Sequence, residues 1–146
     1  MQIEIKIDSS CTEPKIIIMT DSMTEDVQTI LKRLSESSPQ MIVGIRDGRL
    51  EVLEEADIIR VYASAGKVFA VTENGEYTVR LRLYELEERL DKSTFVRISN
   101  SEIINLKKVR HFDLRLTGTI CVKMSNGTVT YVSRRHVAGI KRLLGL

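Results

Sequence analysis

Two adjacent arginines, Arg134 and Arg135, follow Ser133 at the predicted start of the last helix. Positive charge in a first helical turn opposes the helix dipole, typically by about 0.3–1 kcal/mol per exposed charge. Free N–H groups at a helix start bind phosphate, and arginine adds paired donors. The two arginines are therefore candidate anion ligands. The alternative is a solvated pair or a salt bridge to a nearby acid.

A second polar segment interrupts residues 95–109, which read FVRISNSEIINLKKV. Ser99 stands three residues before Glu102, which is the spacing of a capping box, so we expect a very short helix with Asn100 and Ser101 in its first turn. Asparagine can read adenine or bond to a backbone phosphate. The alternative is that Asn100 only shapes a turn.

The charge of the chain is unevenly distributed. Residues 1–56 hold 6 lysines and arginines against 11 acids, whereas residues 92–146 hold 11 against 2. This asymmetry is typical of binding to nucleic acid or to an acidic membrane, although docking of the basic end on the protein's own acidic end would give the same counts. Lys107 and Lys108 follow the polar segment closely, and Glu102 would place a negative charge near a bound phosphate.

Catalytic motifs are missing from the sequence: it has no phosphate-binding loop, no G-x-S-x-G and no H-E-x-x-H. His111 and His136 are too few for a metal site. We therefore expect no enzyme, no metal, no cofactor and no small-molecule substrate. Cys11 and Cys121 are expected to stay reduced, and without a signal-peptide pattern or a long apolar run the predicted location is cytoplasmic.

The elements that carry these residues can be predicted from periodicity. In the first third, QIEIKID and PKIIIMT are expected to be strands. DSMTEDVQTILKRL is expected to be a helix with a capping box from Ser22 to Glu25, ended by Pro39. MIVGIRDG is expected to be a strand that turns at Asp47 and Gly48.

From residue 50 onward the pattern predicts short strands. Asn74-Gly75 and Asn126-Gly127 indicate hairpins, and LYELEERL indicates a short helix. The last helix should bury a stripe of four residues: Val137, Ile140, Leu143 and Leu144. The predicted fold is mostly β, α+β overall. Residues 1–46 form a small strand-strand-helix-strand region in this interpretation, and residues 47–146 form the main domain.

Four blocks in this order carry a family resemblance: DIIRVYASAGKVFAV, NGEYTVRLRLYELEERL, FVRISNSEIINLKKV and NGTVTYVSRRHVAGIKRL. From Asp57 to the C-terminus the chain resembles the LytTR family of bacterial DNA-binding domains. The resemblance implies an elongated, mostly antiparallel β fold with short helices and a C-terminal helix, here after a small α/β N-terminal extension. It also implies that loops, rather than a recognition helix, enter DNA grooves.

By this resemblance DNA would be contacted at the Gly66-Lys67 loop, at the polar segment and at the start of the last helix. Asn100 and Arg135 match positions that contact DNA in relatives. Ser99 stands where the family usually has histidine, and Glu102 where it has an aromatic residue, so base preference is not carried over. The candidate DNA-binding residues are Lys67, Arg97, Ser99, Asn100, Ser101, Lys107, Lys108, Arg134 and Arg135.

The functional hypothesis is a sequence-specific transcription regulator that binds paired promoter sites in double-stranded DNA as a homodimer. The N-terminal region does not resemble a phosphorylated receiver. Short members of this kind resemble regulators paired with a small membrane protein, so residues 1–46 are expected to dimerise the chain or to bind such a partner. The alternative function is a protein-interaction module that acts through this region, with weak or no DNA binding.

Overall fold

The computed structural model describes residues 1–36 and 41–146, which belong to two compact units, Met1–Pro39 and Gln40–Leu146. The predicted helix stop at Pro39 lies outside the described residues. Strand β1 (Ile42–Arg46) is part of a sheet of the second unit. The structure thus divides before β1, whereas the sequence placed the boundary at residue 46. No helix within the described residues is long and apolar enough to span a membrane.

The described part of the first unit contains helix α1 (Glu25–Glu36). The helix is confirmed, but Ser22 does not cap it. Thr24 precedes the helix instead: its hydroxyl accepts a 3.4 Å hydrogen bond from the N–H of Val27, and its carbonyl accepts one from Gln28. Acidic Glu25 and Asp26 in the first turn suit the helix dipole.

The two strands predicted over residues 2–8 and 14–20 are wrong, because no described residue before Ile42 lies in a strand. Ile3, Ile5 and Ile7 are 85–94% exposed. An alternating pattern shows that a segment can bury one face, but a strand also needs a neighbour for its N–H and C=O groups. The described part of this unit offers no such neighbour.

The described part of the second unit contains a seven-stranded sheet in the order β2-β1-β5-β4-β3-β7-β6, with every pair antiparallel. The strands after β1 are β2 (Arg49–Leu53), β3 (Ile58–Ser64), β4 (Lys67–Thr72), β5 (Gly75–Val79), β6 (Phe95–Ser99) and β7 (Glu102–Asn105). Asp47 (φ 52°) and Gly48 (φ 74°) form the β1–β2 turn, and Ala65 (φ 51°) and Gly66 (φ 76°) form the β3–β4 turn. Paired positive φ angles are those of a type I′ hairpin.

A smaller sheet of three strands, in the order β10-β9-β8, completes the described β structure. Its strands are β8 (Val109–Asp113), β9 (Ile120–Met124) and β10 (Val129–Val132), and the helices of this unit are α2 (Leu83–Arg89) and α3 (Arg134–Leu143), with short 3-10 helices at Glu55–Asp57 and Leu106–Lys108. Both predicted Asn-Gly hairpins are present. The mostly β, antiparallel fold class and both predicted helices of this unit are confirmed.

Two apolar cores hold this unit together. One joins the larger sheet to α2, whose Leu83 and Leu86 are buried. The other joins β3, β6 and β7 to the smaller sheet and to Ile140 of α3. Leu143 and Leu144 are exposed, so the buried stripe of α3 is narrower than the sequence suggested.

Candidate nucleic-acid interface

Helix α3 begins with two exposed arginines, and its first turn contains no acid. Ser133 occupies the N-cap position as predicted, but its hydroxyl bonds to Nδ1 of His136 at 2.8 Å rather than to a backbone N–H. Arg134 and Arg135 have no ion-pair partner among the described residues. The charge at this helix start is therefore not neutralised within that part of the chain, as expected of an anion-binding position.

The polar segment is a hairpin turn and not the short helix expected from a capping box. Strands β6 and β7 pair through Ser99 and Glu102, with Asn100 and Ser101 in the turn between them. Burial decides this outcome. Ile103 and Ile104 of β7 face different cores and are almost fully buried, which contributes about 1.5–3 kcal/mol each, whereas a helix cap contributes about 1 kcal/mol.

Arg97 holds the turn in place. Its Nε donates to the carbonyl of Ser99 at 2.8 Å, and its Nη2 donates to the carbonyl of Asn100 at 2.6 Å. Its Nη1 donates to Glu87 of α2 at 2.5 Å. The hydroxyl of Ser99 also accepts a hydrogen bond from the N–H of Ser101 at 3.2 Å. The guanidinium thus holds the backbone where the chain leaves β6 and enters the turn, while Asn100 remains exposed.

Two backbone hydrogen bonds bring the three predicted contact sites together. The N–H of Ala63, close to the β3–β4 turn, donates to the carbonyl of Ser101 at 2.8 Å. The N–H of Ser133 donates to the carbonyl of Ile98, one residue before Ser99, also at 2.8 Å. The β6–β7 turn therefore lies between the β3–β4 hairpin that carries Lys67 and the start of α3.

Lys107 and Lys108 are placed elsewhere. They lie in the 3-10 helix that follows β7, at the far end of that strand from the Asn100 turn. Four strand residues span about 13 Å. Asn105 anchors this helix: its Oδ1 accepts a hydrogen bond from the N–H of Lys107 at 2.9 Å, and its Nδ2 donates to the carbonyl of Ile58 at 2.8 Å. The closeness of the two lysines to Asn100, expected from the sequence, is not observed.

Glu102 also departs from its expected position beside phosphate. It is 9% exposed, and its Oε1 accepts a 2.8 Å hydrogen bond from the hydroxyl of Thr130 on β10. Its Oε2 lies 3.5 Å from Nε of Arg60. Burial raises the pKa of this carboxyl, and Arg60 and the Thr130 hydrogen bond partly oppose that rise. The carboxylate links the two sheets and does not present its charge at the surface of the turn.

Two surface grooves adjoin the β6–β7 turn. The helix groove, of about 640 Å³, lies between α2, β6 and α3 and includes Arg135. The turn groove, of about 830 Å³, runs from Lys67 to the segment between β5 and α2. Tyr84 and Arg97 line both grooves.

The turn groove contains two arginines, Arg80 and Arg82, that were not singled out from the sequence. In the sequence, the alternating EYTVRLR run indicates a strand that would include both arginines. One feature of the sequence could have indicated them as candidate anion ligands: the two arginines stand immediately before a predicted helix, separated by one apolar residue. Periodicity alone could not show that this segment faces the same groove as Lys67.

A mostly antiparallel β domain with turns, a helix start and unpaired cations in one region has the features of a β-type nucleic-acid-binding domain. Comparison with known proteins gives the family. Residues 48–145 match the LytTr DNA-binding domain, and the chain belongs to the LytTR family.

The curated relatives include uncharacterized HTH-type transcriptional regulators from Staphylococcus aureus strains NCTC 8325 and COL. Each is 31% identical over 147 residues, covering 100% of this chain and 99% of the relative. A solved structure with the same fold is the LytTr DNA-binding domain of a Bacillus cereus protein described as a methyl-accepting/DNA response regulator. It matches with a TM-score of 0.71 and 21% identity over 75% of this chain and 100% of that one.

Proposed function

We propose that this protein is a transcription regulator that recognises specific double-stranded DNA through the β3–β4 turn, the β6–β7 turn and the start of α3. The observation that carries the proposal is the pair of hydrogen bonds, Ala63 to Ser101 and Ser133 to Ile98, that hold these three elements side by side. Each element exposes side chains suited to DNA, namely Lys67, Asn100 and Arg135.

The proposed roles follow from these surroundings. Asn100 reads a base edge or a phosphate from a turn whose backbone is fixed, and Arg135 makes a base or phosphate contact at the helix start. Ser99, Ser101, Lys67 and Arg134 bind neighbouring phosphates. Arg97, whose guanidinium is occupied by two carbonyls and Glu87, positions the turn.

Lys107 and Lys108, at the other end of β7, would contact phosphates outside the central site. Such phosphate contacts add affinity that does not depend on base sequence.

Fluorescence anisotropy with the DNA upstream of the protein's own gene, at several salt concentrations, tests the proposal. We expect preference over a random duplex and a steep loss of affinity as salt rises, because phosphate contacts release counterions. Equal affinity for the two duplexes, or affinity that salt does not change, would contradict the proposed function. Footprinting on the same DNA should show two protected blocks on one face of the helix.

The paired sites require two copies of the domain, and we propose that the N-terminal unit, Met1–Pro39, dimerises the chain. The exposed Ile3, Ile5 and Ile7 support this role, since a second copy could cover them. Light scattering should give the mass of a dimer for the full chain and of a monomer for the Ile5→Glu, Ile7→Glu double variant. A wild-type monomer at micromolar concentration would contradict dimerisation.

The second candidate function is a protein-interaction module, favoured by the same exposed isoleucines. In that case the N-terminal region would bind a protein partner, such as a small membrane protein, and DNA binding would be weak or absent. Reporter expression in cells distinguishes the two. Loss of regulation in Asn100→Ala and Arg135→Ala supports the regulator, whereas normal regulation in both with loss in Ile5→Glu, Ile7→Glu supports the module.

A further inference from the structure

The turn groove differs from the helix groove in the sign of its charges. Its lining includes four cations, Lys67, Arg80, Arg82 and Arg97, and no aspartate or glutamate. The helix groove combines Lys92, Arg97 and Arg135 with two acids, Glu87 and Glu88. An anion entering the turn groove therefore meets no opposing carboxylate in its lining.

Three of the four cations in the turn groove are also available to bind an anion. Lys67, Arg80 and Arg82 are exposed, and none has an ion-pair partner among residues 1–36 and 41–146. Arg97 is the exception, because Glu87 and two carbonyls occupy its guanidinium. Three unpaired cations on one groove produce a positive potential that solvent and small ions alone must balance.

The groove lies next to the turn that carries Asn100. Lys67 begins β4 directly after the β3–β4 turn, and Ala63 of the same hairpin bonds to Ser101. Arg80 and Arg82 stand in the segment between β5 and α2, which lines the same groove and begins beside Lys67, because Val79 pairs with Val68. An extended polyanion in the groove would therefore pass beside the β6–β7 turn.

We propose that the turn groove binds the sugar–phosphate backbone of duplex DNA, with Arg80 and Arg82 as phosphate ligands additional to the three elements already described. The inference rests on the proposed DNA-binding function and adds the path of the backbone beside the base-reading turn. Arginine suits this role because its planar donors match phosphate oxygens. Tyr84, 59% exposed at the start of α2, also lines this groove.

The test compares Arg80→Gln and Arg82→Gln with wild type on the promoter duplex and on a random duplex over a range of salt. Each variant should bind both duplexes roughly threefold to tenfold more weakly, and the slope of log affinity against log salt should fall by about 0.9 per residue. Arg82→Lys, which keeps the charge, should keep the slope.

Arg89→Gln is the matched control, since Arg89 is an exposed arginine of α2 that lines neither groove. It should leave the slope unchanged. A fall equal to that of the groove variants would overturn the proposal, because net charge rather than the groove would then explain the effect. Melting temperatures equal to that of wild type would show that the variants are folded.

A second measurement locates the contact on the DNA. Single uncharged methylphosphonate linkages are placed one at a time along the promoter duplex. At the linkage that Arg82 contacts, removal of the phosphate charge should weaken binding by wild type. The same linkage should not weaken binding by Arg82→Gln any further, because this variant already lacks the contact. Suppose that wild type binds its promoter with a steep salt dependence and that Arg80→Gln and Arg82→Gln bind with the affinity of wild type. The proposed role of the groove is then overturned, while the proposed regulator function stands. If wild type binds no duplex, both are overturned.

Discussion

The carboxylate of Glu102 accepts a hydrogen bond from the hydroxyl of Thr130, 2.8 Å away on the other sheet. Glu102 directly follows the turn that presents Asn100, so this bond and the nearby Arg60 tie the base of the turn to both sheets. The other acid of residues 92–146, Asp113, is paired with Arg115. Both acidic residues of the basic segment, residues 92–146, are thus paired with other residues of the chain.

Asn100→Ala should weaken binding to the specific duplex by about 1–3 kcal/mol if Asn100 reads a base. The thermal midpoint should hardly change, because Asn100 is exposed in a turn held by Arg97. Anisotropy and thermal melts measure the two quantities. Asn126→Ala, in the exposed β9–β10 turn, is the matched control and should bind DNA like wild type. Unchanged specific affinity in Asn100→Ala would remove Asn100 from the interface.

Arg135→Ala should change binding and stability in opposite directions. DNA affinity should fall by about 1–3 kcal/mol, while the free energy of unfolding should rise by about 0.3–1 kcal/mol, because a positive charge leaves the first turn of α3. Arg142→Ala, in the last turn of the same helix, should lose stability by a similar amount and keep its DNA affinity. Urea denaturation and anisotropy test both. Loss of both DNA affinity and folding stability in Arg135→Ala would indicate that Arg135 has a structural role.

Arg97→Lys should weaken DNA binding by about 1 kcal/mol although the charge is retained. A single ammonium group cannot reproduce the guanidinium bonds to Ser99, Asn100 and Glu87. Since Arg97 acts through the turn, its effect should largely disappear when Asn100 is already alanine. A double-mutant cycle measures this coupling, and strictly additive losses would show that Arg97 acts independently of Asn100.

Glu102 should make folding stability depend on pH. Burial raises the pKa of its carboxyl in the folded state, so between the unfolded and folded pKa values the folded chain binds more protons. The stability of wild type relative to Glu102→Gln should therefore be greatest below the unfolded value of about 4.3 and should fall as pH rises through the folded pKa.

Urea denaturation at a series of pH values measures this difference. Glu88→Gln, at an exposed position of α2, controls for the loss of one carboxylate. A difference between wild type and Glu102→Gln that stayed constant with pH, or grew as pH rose, would be incompatible with a raised folded pKa.

Much of the second unit could be predicted because its signals are local. Asn74-Gly75 and Asn126-Gly127 permit positive φ at the hairpins, and Gly75 and Gly127 adopt it. The leucines of LYELEERL have helical spacing and are buried. The predicted strands at residues 2–8 and 14–20 failed because alternation shows which face a strand could bury but does not supply its neighbour.

Local sequence patterns are enough to predict the family, the order of most strands and helices, and the residue types suited to DNA at Asn100 and Arg135. How these residues are grouped depends on the packing of the folded chain. Burial of β7 in two cores turned an apparent capping box into a hairpin and turned Glu102 inward. Lys107 and Lys108, close in sequence, lie at the far end of β7, whereas Arg80 and Arg82, more distant in sequence, share a groove with Lys67. Such groupings depend on contacts between residues far apart in the chain, which no local pattern encodes.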